Sequence, residues 1–210
     1  MSRNHLFEQD LFSVKHDGRS LQTILNRTDH RYSPYGWDYR TLCIAAVQKT
    51  PDALQFVKNQ RFGIGLAAVR QDGMALRFVQ NQTLKICREA VQQDPRAIRY
   101  VKELLLTLEL CLFAVQNNGS VIFALKKEMQ TPEMCLAAII QNGNLFKYYD
   151  KAHQTFEICL EAVKQNSEAI KWIKDKEMRA LVRAIIDRHV IELEPTFHTI
   201  VAPAPAPQFV

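Results

Sequence analysis

The 210-residue sequence lacks the features of secreted and membrane-spanning proteins. Its longest unbroken apolar run, residues 134–140, is far shorter than the roughly 18 residues that a membrane-spanning helix needs. The first ten residues contain neither the basic nor the apolar segment of a secretion signal. Because 47% of the residues are apolar and 23% are charged, the composition is that of a folded globular chain. We therefore expect a cytoplasmic protein that does not associate with membranes.

Motifs for catalysis and metal binding are also missing. The six histidines show no His-x-His or His-Glu-x-x-His spacing, and there is no glycine-rich phosphate loop and no Gly-x-Ser-x-Gly motif. Five cysteines are an odd number, and no Cys-x-x-Cys pair occurs, which argues against a disulfide framework. The sequence therefore predicts no catalytic residue, no cofactor and no metal site.

The positions of the cysteines reveal an internal repeat. They lie at 43, 87, 111, 135 and 159, so the later spacings are 24 residues and the first is twice 22, with Gly65 at its midpoint. Six segments align on these positions without a gap, and in each one Ala follows three residues later and precedes Val or Ile. A period of this length is typical of repeat proteins. Gly65 takes the place of the cysteine in the second repeat, and the cysteines are predicted to fill the core.

Each repeat contains the start signals of two short helices. Thr recurs four residues before the cysteine and is a typical N-cap for the first helix, at positions 83, 107, 131 and 155. A second column of capping residues precedes Pro, Gly or Ser, at Thr50, Asp72, Asp94, Asn118, Asn142 and Asn166. Helices of about 8 to 10 residues are too short to be stable alone and must stack on neighbours. We predict an all-α fold, an α-solenoid of six two-helix repeats of 22 to 24 residues with helical caps. A leucine-rich repeat has a similar period, but the invariant Ala and the missing Leu-x-Leu strand favour helices.

The repeated pattern Cys-Leu-x-Ala-Val-x-Gln-Asn-Gly, followed by Ala-Leu, an aromatic residue and Val, resembles the short helical repeats of the domain of unknown function 4116 family. The resemblance covers residues 41–174. It implies a helical repeat architecture and brings no reaction, cofactor or catalytic residue. Similar modules occur in bacterial, protist and large-virus proteins. The resemblance therefore suggests a bacterial, phage or effector protein, which in the latter cases acts in the host cell cytoplasm.

The segments outside the repeats divide the chain into four parts. These are an N-terminal capping segment (1–40), the helical repeat array (41–176), a C-terminal capping helix (177–194) and a flexible Pro/Ala tail (195–210) of polyproline II type. In the first part, Tyr32, Tyr35 and Trp37 either cover the first repeat or contribute to a ligand surface. In the tail, the apolar pair Phe209 and Val210 either ends a spacer or is a docking peptide.

One column of the second helices is rich in basic residues. Positions nine and twelve residues beyond the invariant Ala supply at least one Lys or Arg to each of the six repeats, which is Lys58 in the first. Residues three apart share a helix face. We call the following residues the basic ladder: Arg77, Arg99, Lys102, Lys126, Lys147, Lys171 and Lys174. The aromatic column next to it is predicted to lie in the core.

The charge pattern suggests what the ladder binds. A formal net charge of +5 favours an acidic partner but is modest for a dedicated nucleic-acid binder. We predict a non-catalytic protein-binding module, an adaptor, scaffold or inhibitor, whose basic ladder contacts an acidic protein surface. The alternatives are a nucleic-acid-binding repeat protein that uses the same ladder, an enzyme or modifier that uses the N-terminal segment, and a ladder that is only a solvated face. The oligomeric state stays open.

Overall fold

The computed structural model describes residues 3–27, 32–33 and 36–197, and the side chains of residues 4–188 within those ranges. All regular elements in these ranges are helical and none is a strand, which confirms the all-α class. Among the same residues, no helix combines the length and the apolar character needed to cross a membrane. The chain forms two compact units, Met1–Met134 and Cys135–Val210, which are described separately below.

The elements alternate between α-helices and 3₁₀-helices (η) along the repeats. They are, in order, α1 (Arg3–His16), α2 (Ser20–Leu25), α3 (Trp37–Lys49), η1 (Pro51–Phe56), α4 (Phe62–Gln71), η2 (Gly73–Phe78), α5 (Leu84–Gln93), η3 (Pro95–Tyr100), η4 (Glu103–Leu105), α6 (Leu108–Asn117), η5 (Gly119–Ala124), η6 (Lys127–Met129), α7 (Pro132–Gln141), η7 (Gly143–Tyr148), η8 (Lys151–His153), α8 (Phe156–Gln165), η9 (Ser167–Trp172) and α9 (Lys176–Phe197). The boundary between the two units lies within α7.

The second element of each repeat is a six-residue 3₁₀-helix, so the prediction of a second helix of about 8 to 10 residues is wrong. Its hydrogen bonds join residues three apart, as between the Val79 amide and the Leu76 carbonyl at 3.0 Å. The residue after each of these helices, Val79 or Val101 for example, has extended backbone angles and ends the element. Only six residues lie between the capping residue and this extended residue, which is enough for two turns of a 3₁₀-helix.

Side-chain caps start the helices where the sequence predicts them. The Thr side chains of the first column accept a hydrogen bond from the amide three residues on, at Thr83, Thr107, Thr131 and Thr155. In the second column the side chain accepts from the amide two residues on, at Asp72, Asp94, Asn118, Asn142 and Asn166. Thr50 makes no such bond, and its helix η1 begins instead with Pro51.

The cysteine column lies in the core, as predicted. All five cysteines are free and fully buried, together with the invariant Ala that follows each of them. Burial raises the pKa of Cys43 to about 12 and that of Cys87 to about 11, because the thiolate would lose its hydration. A side chain added at Gly65 would meet Ile86 at an ordinary contact distance of 3.6 Å, so this glycine occupies the same core position.

A glutamine before the helix cap joins each of three repeats to the next one, and we call this interaction the glutamine clasp. The Gln82 side chain donates to the Tyr100 carbonyl at 2.8 Å and accepts from the Lys102 amide at 2.9 Å. Gln60 and Gln154 make the equivalent pair of bonds in their own units. The amide side chain carries a donor and an acceptor at one end, so it satisfies both backbone groups that follow the 3₁₀-helix. In the fourth repeat this position is Leu106.

A second contact between neighbouring repeats requires glycine. The Gly73 amide donates to the Gln93 side chain at 2.5 Å, and in the other unit the Gly143 amide donates to Gln165 at 2.8 Å. A Cβ atom at Gly73 would lie 2.3 Å from the Ala90 carbonyl oxygen, closer than carbon and oxygen atoms approach. Glycine thus lets the start of η2 lie directly against α5.

The two repeat lengths differ in the connection between elements. The 24-residue repeats contain an additional 3₁₀ turn of three residues, which is η4, η6 or η8, between the second helix and the next α-helix. The 22-residue repeats pass directly from η1 to α4 and from η2 to α5. The extra residues therefore leave the helices and their core positions unchanged.

The N-terminal helices cover the start of the array. Helix α1 packs against α3, and Val14, Leu21 and Ile24 are buried there. Asp10 is buried too, and it accepts hydrogen bonds from Arg27 at 2.8 Å and from the Tyr32 hydroxyl at 2.7 Å. Tyr32 thus contacts helix α1, and whether this segment caps the first repeat or contributes to a ligand surface stays a prediction.

The boundaries of the array differ slightly from the predicted ones. The first repeat helix, α3, begins at Trp37 instead of residue 41, and the last helix, α9, covers Lys176–Phe197 instead of 177–194. Trp37 is 80% exposed at its helix start. Tyr35 and residues 198–210, with the predicted docking pair, lie outside the described residues.

Candidate functional site

The residues of the basic ladder lie either within the second elements of the repeats or two residues beyond their ends. In the first unit η1, η2, η3 and η5 pack side by side, and in the second unit η7 packs against η9. All seven ladder side chains are exposed. The first unit carries Arg77, Arg99, Lys102 and Lys126, and the second carries Lys147, Lys171 and Lys174. Each unit thus presents its own row of basic side chains.

Carboxylates neutralise four members of the ladder. Each of these pairs is solvent-exposed and contributes little to stability, but each reduces the positive charge that a partner would meet. The pairs are Arg77 with Asp52 at 3.0 Å, Lys126 with Glu103 at 2.5 Å, Lys174 with Asp150 at 3.8 Å, and Lys171 with Glu168. The ladder is therefore less positive than the sequence suggests.

The other three members, Arg99, Lys102 and Lys147, have no carboxylate oxygen within 4.0 Å in the part of the chain that the structure describes. The Lys102 ammonium donates to the Gln80 carbonyl at 2.7 Å. The Lys147 ammonium lies over the ring of Tyr148, 4.8 Å from its centre. These three side chains carry the charge that remains available to an acidic ligand.

The aromatic column beside the ladder is not the buried core that the sequence predicts. Phe78, Tyr100 and Trp172 are half-buried, and Tyr148 is 62% exposed. The 3₁₀-helix accounts for this difference, since its three residues per turn place the aromatic side chain at the edge of the buried face. Aromatic and basic side chains therefore alternate on the same surface.

The fourth repeat departs from this pattern and opens a cavity of about 400 Å³. Here the ladder position is Phe123 and the aromatic position is Ala124, so a methyl group stands where other repeats have a ring. Arg99, Ser120, Phe123 and Ala124 line the cavity, which we call the Arg99 notch. Phe123 is 45% exposed. Both substitutions are visible in the aligned repeats, but the space they create depends on the neighbouring repeat.

A second depression lies between α5 and α6, the two helices joined by the longer connection that contains η4. Its volume is also about 400 Å³, and apolar side chains of α6, including Leu112 and Phe113, line it. Arg88 and Glu109 form an ion pair at its edge, 3.0 Å apart. Because its edge carries both charge signs, this groove favours no particular ligand charge.

Comparison with known families agrees with the repeat architecture. Two consecutive segments match the family model of a domain of unknown function, DUF4116. They are residues 83–130 and 131–179. Each match begins at a capping threonine and covers two α/3₁₀ pairs, so the resemblance to DUF4116 is confirmed for these segments. No curated protein and no solved structure matches the chain.

Proposed function

We propose that the chain is a non-catalytic binding module, an adaptor, scaffold or inhibitor, that binds an acidic segment of another protein through the basic ladder. The observation that carries this proposal is Arg99, an exposed guanidinium at the edge of an open notch that pairs with no carboxylate among the described residues. Three residues further on, Lys102 adds a second cation that has no carboxylate partner in the part of the chain that the structure describes. A guanidinium fork binds carboxylates in a bidentate manner, which favours an acidic peptide.

The proposal includes an α-solenoid of six α/3₁₀ repeats. Three observations support it: the six aligned repeats, the glutamine clasps that join neighbouring repeats within each unit, and the tandem matches to DUF4116. A stacked array places equivalent side chains in rows and offers an extended surface to a linear segment. The cytoplasmic location and the bacterial, phage or effector origin remain predictions from the composition and from the resemblance.

A selection from a random peptide library tests the proposal without knowledge of the partner. Peptides retained by the immobilised chain should be enriched in Asp and Glu, and should lose binding to the double variant Arg99→Glu/Lys147→Glu. The control is Arg88→Glu/Lys164→Glu, which changes the net charge equally on the α-helices. Retention of the peptides by the ladder variant, or equal loss in the control, would show that the ladder is only a solvated face.

Nucleic acid is the second candidate ligand. The exposed Tyr148 ring beside Lys147 favours it, because base stacking next to a cation is typical of single-strand binding. Its affinity should then fall steeply with salt concentration. Titration with single-stranded RNA and with duplex DNA at about 50 mM salt separates the two candidates. Absence of binding at this ionic strength removes the nucleic-acid candidate, whereas tight RNA binding without acidic peptides overturns the protein-binding proposal.

A further inference from the structure

We infer that the Arg99 notch selects one feature of the acidic partner, a carboxylate next to a large apolar side chain. This inference rests on the proposed function, since it specifies which acidic segments the basic ladder accepts. The notch combines a cationic wall with an exposed apolar one, whereas the Arg77 guanidinium in the same unit already lies over the Phe78 ring.

The arrangement of Arg99 differs from that of other bases in the ladder column. Arg77 and Lys147 each lie over the aromatic ring of the next residue, at 4.6 Å from Phe78 and 4.8 Å from Tyr148. In the described structure Arg99 makes no such contact with Tyr100 and lines the notch instead. A basic side chain that lies over the aromatic ring of the next residue already makes a cation–π contact within the protein, and Arg99 lacks this contact in the described structure. It is therefore the ladder base best placed for an external carboxylate.

The apolar wall comes from the exchanged residues of the fourth repeat. Ala124 removes the ring that would fill the space, and Phe123 keeps 45% of its surface exposed at the same place. The Ser120 hydroxyl donates to the Asn118 side chain at 2.7 Å, which leaves its oxygen able to accept from a peptide amide. A large apolar side chain would cover Phe123 while the adjacent carboxylate pairs with Arg99.

The composition of the notch indicates its occupant. A volume of about 400 Å³ accommodates one large side chain with a neighbouring carboxylate. The Arg99 guanidinium is complementary in charge to the carboxylate, and the exposed Phe123 ring offers an apolar contact. We assign as the occupant a short linear segment in which Asp or Glu adjoins Leu, Phe or a residue of similar size.

A small probe tests this selectivity directly on the full ¹⁵N-labelled chain. The probe is 3-phenylpropionate, which carries one ring and one carboxylate, and the comparison compounds are propionate and 3-phenylpropan-1-ol, which each lack one of these groups. We expect 3-phenylpropionate to shift the amide resonances of Ser120 and Ala124, with a dissociation constant in the millimolar range for so small a ligand. Both comparison compounds should bind more weakly.

Two variants separate the contributions of the walls. Arg99→Gln should weaken 3-phenylpropionate roughly five- to tenfold and abolish its advantage over the alcohol, because the charged hydrogen bonds are lost. Phe123→Ala should abolish its advantage over propionate. Arg77→Gln is the matched control and should change neither preference. The amide spectra of all variants report whether the fold is intact.

The outcomes distinguish this inference from the proposed function. If 3-phenylpropionate leaves Ser120 and Ala124 unshifted up to its solubility limit, or binds the Arg99→Gln variant equally well, the notch is not selective and the inference is overturned. Acidic peptides that still bind the chain and depend on Arg99 and Lys147 then support the proposed function alone. If acidic peptides also fail to bind, both are overturned.

Discussion

Replacing Gln154 by leucine tests how much a glutamine clasp stabilises the fold. Gln154 is the most deeply buried clasp residue, with 9% of its surface exposed. Its side-chain nitrogen donates to the carbonyls of Tyr149 at 3.3 Å and Trp172 at 3.0 Å, and its oxygen accepts from the Lys174 amide at 2.8 Å. Leu106 occupies the equivalent place in the fourth repeat, so a leucine side chain is compatible with this position.

The magnitude follows from these three bonds. Each contributes about 0.5–1.5 kcal/mol net, and the long bond to Tyr149 belongs at the low end, which gives about 2–4 kcal/mol in total. The leucine side chain recovers up to about 1 kcal/mol through its greater apolar burial. We therefore expect the Gln154→Leu variant to lose about 1–4 kcal/mol of unfolding free energy.

Urea unfolding followed by circular dichroism measures this loss, and hydrogen exchange locates it. The Lys174 amide should exchange faster in the variant, because its acceptor is gone. Gln92→Leu makes the same chemical change at an exposed position of α5 and should alter stability by less than about 0.5 kcal/mol. If Gln154→Leu costs no more than this control and the Lys174 amide stays protected, the clasp does not stabilise the repeats.

Three further predictions concern close packing, the buried thiols and acid stability. Gly73→Ala should lower the unfolding free energy measured in urea by about 2–4 kcal/mol, because the added Cβ would lie 2.3 Å from a carbonyl oxygen of α5. The control is Gly63→Ala, whose Cβ would have a contact only at 3.6 Å, and it should be neutral or stabilising by up to about 1 kcal/mol. Equal effects of the two substitutions would contradict the close approach at Gly73. A thiol reagent at mildly alkaline pH should label none of the five buried cysteines in the native state and all five in denaturant. Burial blocks access to the thiols and raises the pKa of Cys43 to about 12. Rapid labelling of the native protein would contradict the core assignment. The hydrogen bond from Arg96 holds the pKa of Asp94 below its ordinary value of 3.8, so its contribution is present above that value and is lost as the pH falls through the folded-state pKa. Arg96→Gln should therefore reduce the loss of unfolding free energy on acidification. An unchanged dependence of the unfolding free energy on pH in the acid range would refute the role of this pair.

The features that the sequence predicts well are those set by neighbouring residues along the chain. The Thr83 and Asp94 caps depend on residues two or three positions away, and the burial of Cys111 follows from its place in the repeat. The type of the second helix was harder to predict. Capping residues mark where a helix begins, but Val79, which ends η2 after six residues, is of a residue type that also occurs within helices.

The features that the sequence does not predict join residues from different repeats. The clasp between Gln82 and Tyr100 and the pairing of Arg77 with Asp52 require the stacking distance between repeats. The same is true of the Arg99 notch, which Ala124 opens beside a base of the preceding repeat. A column of equivalent residues therefore predicted which side chains share a face, and the structure was needed to find which of them are already paired.

The clasps also have a consequence for folding kinetics. The bonds from Gln60, Gln82 and Gln154 to the next repeat close loops of 18 to 20 residues, and each is short in sequence compared with the pairings of a β-sheet protein. Short loops cost little closure entropy, and chains rich in local contacts fold quickly. One formed α/3₁₀ pair presents the polar groups that the glutamine preceding it needs. Folding within each unit can thus begin at any repeat and extend by one pair at a time.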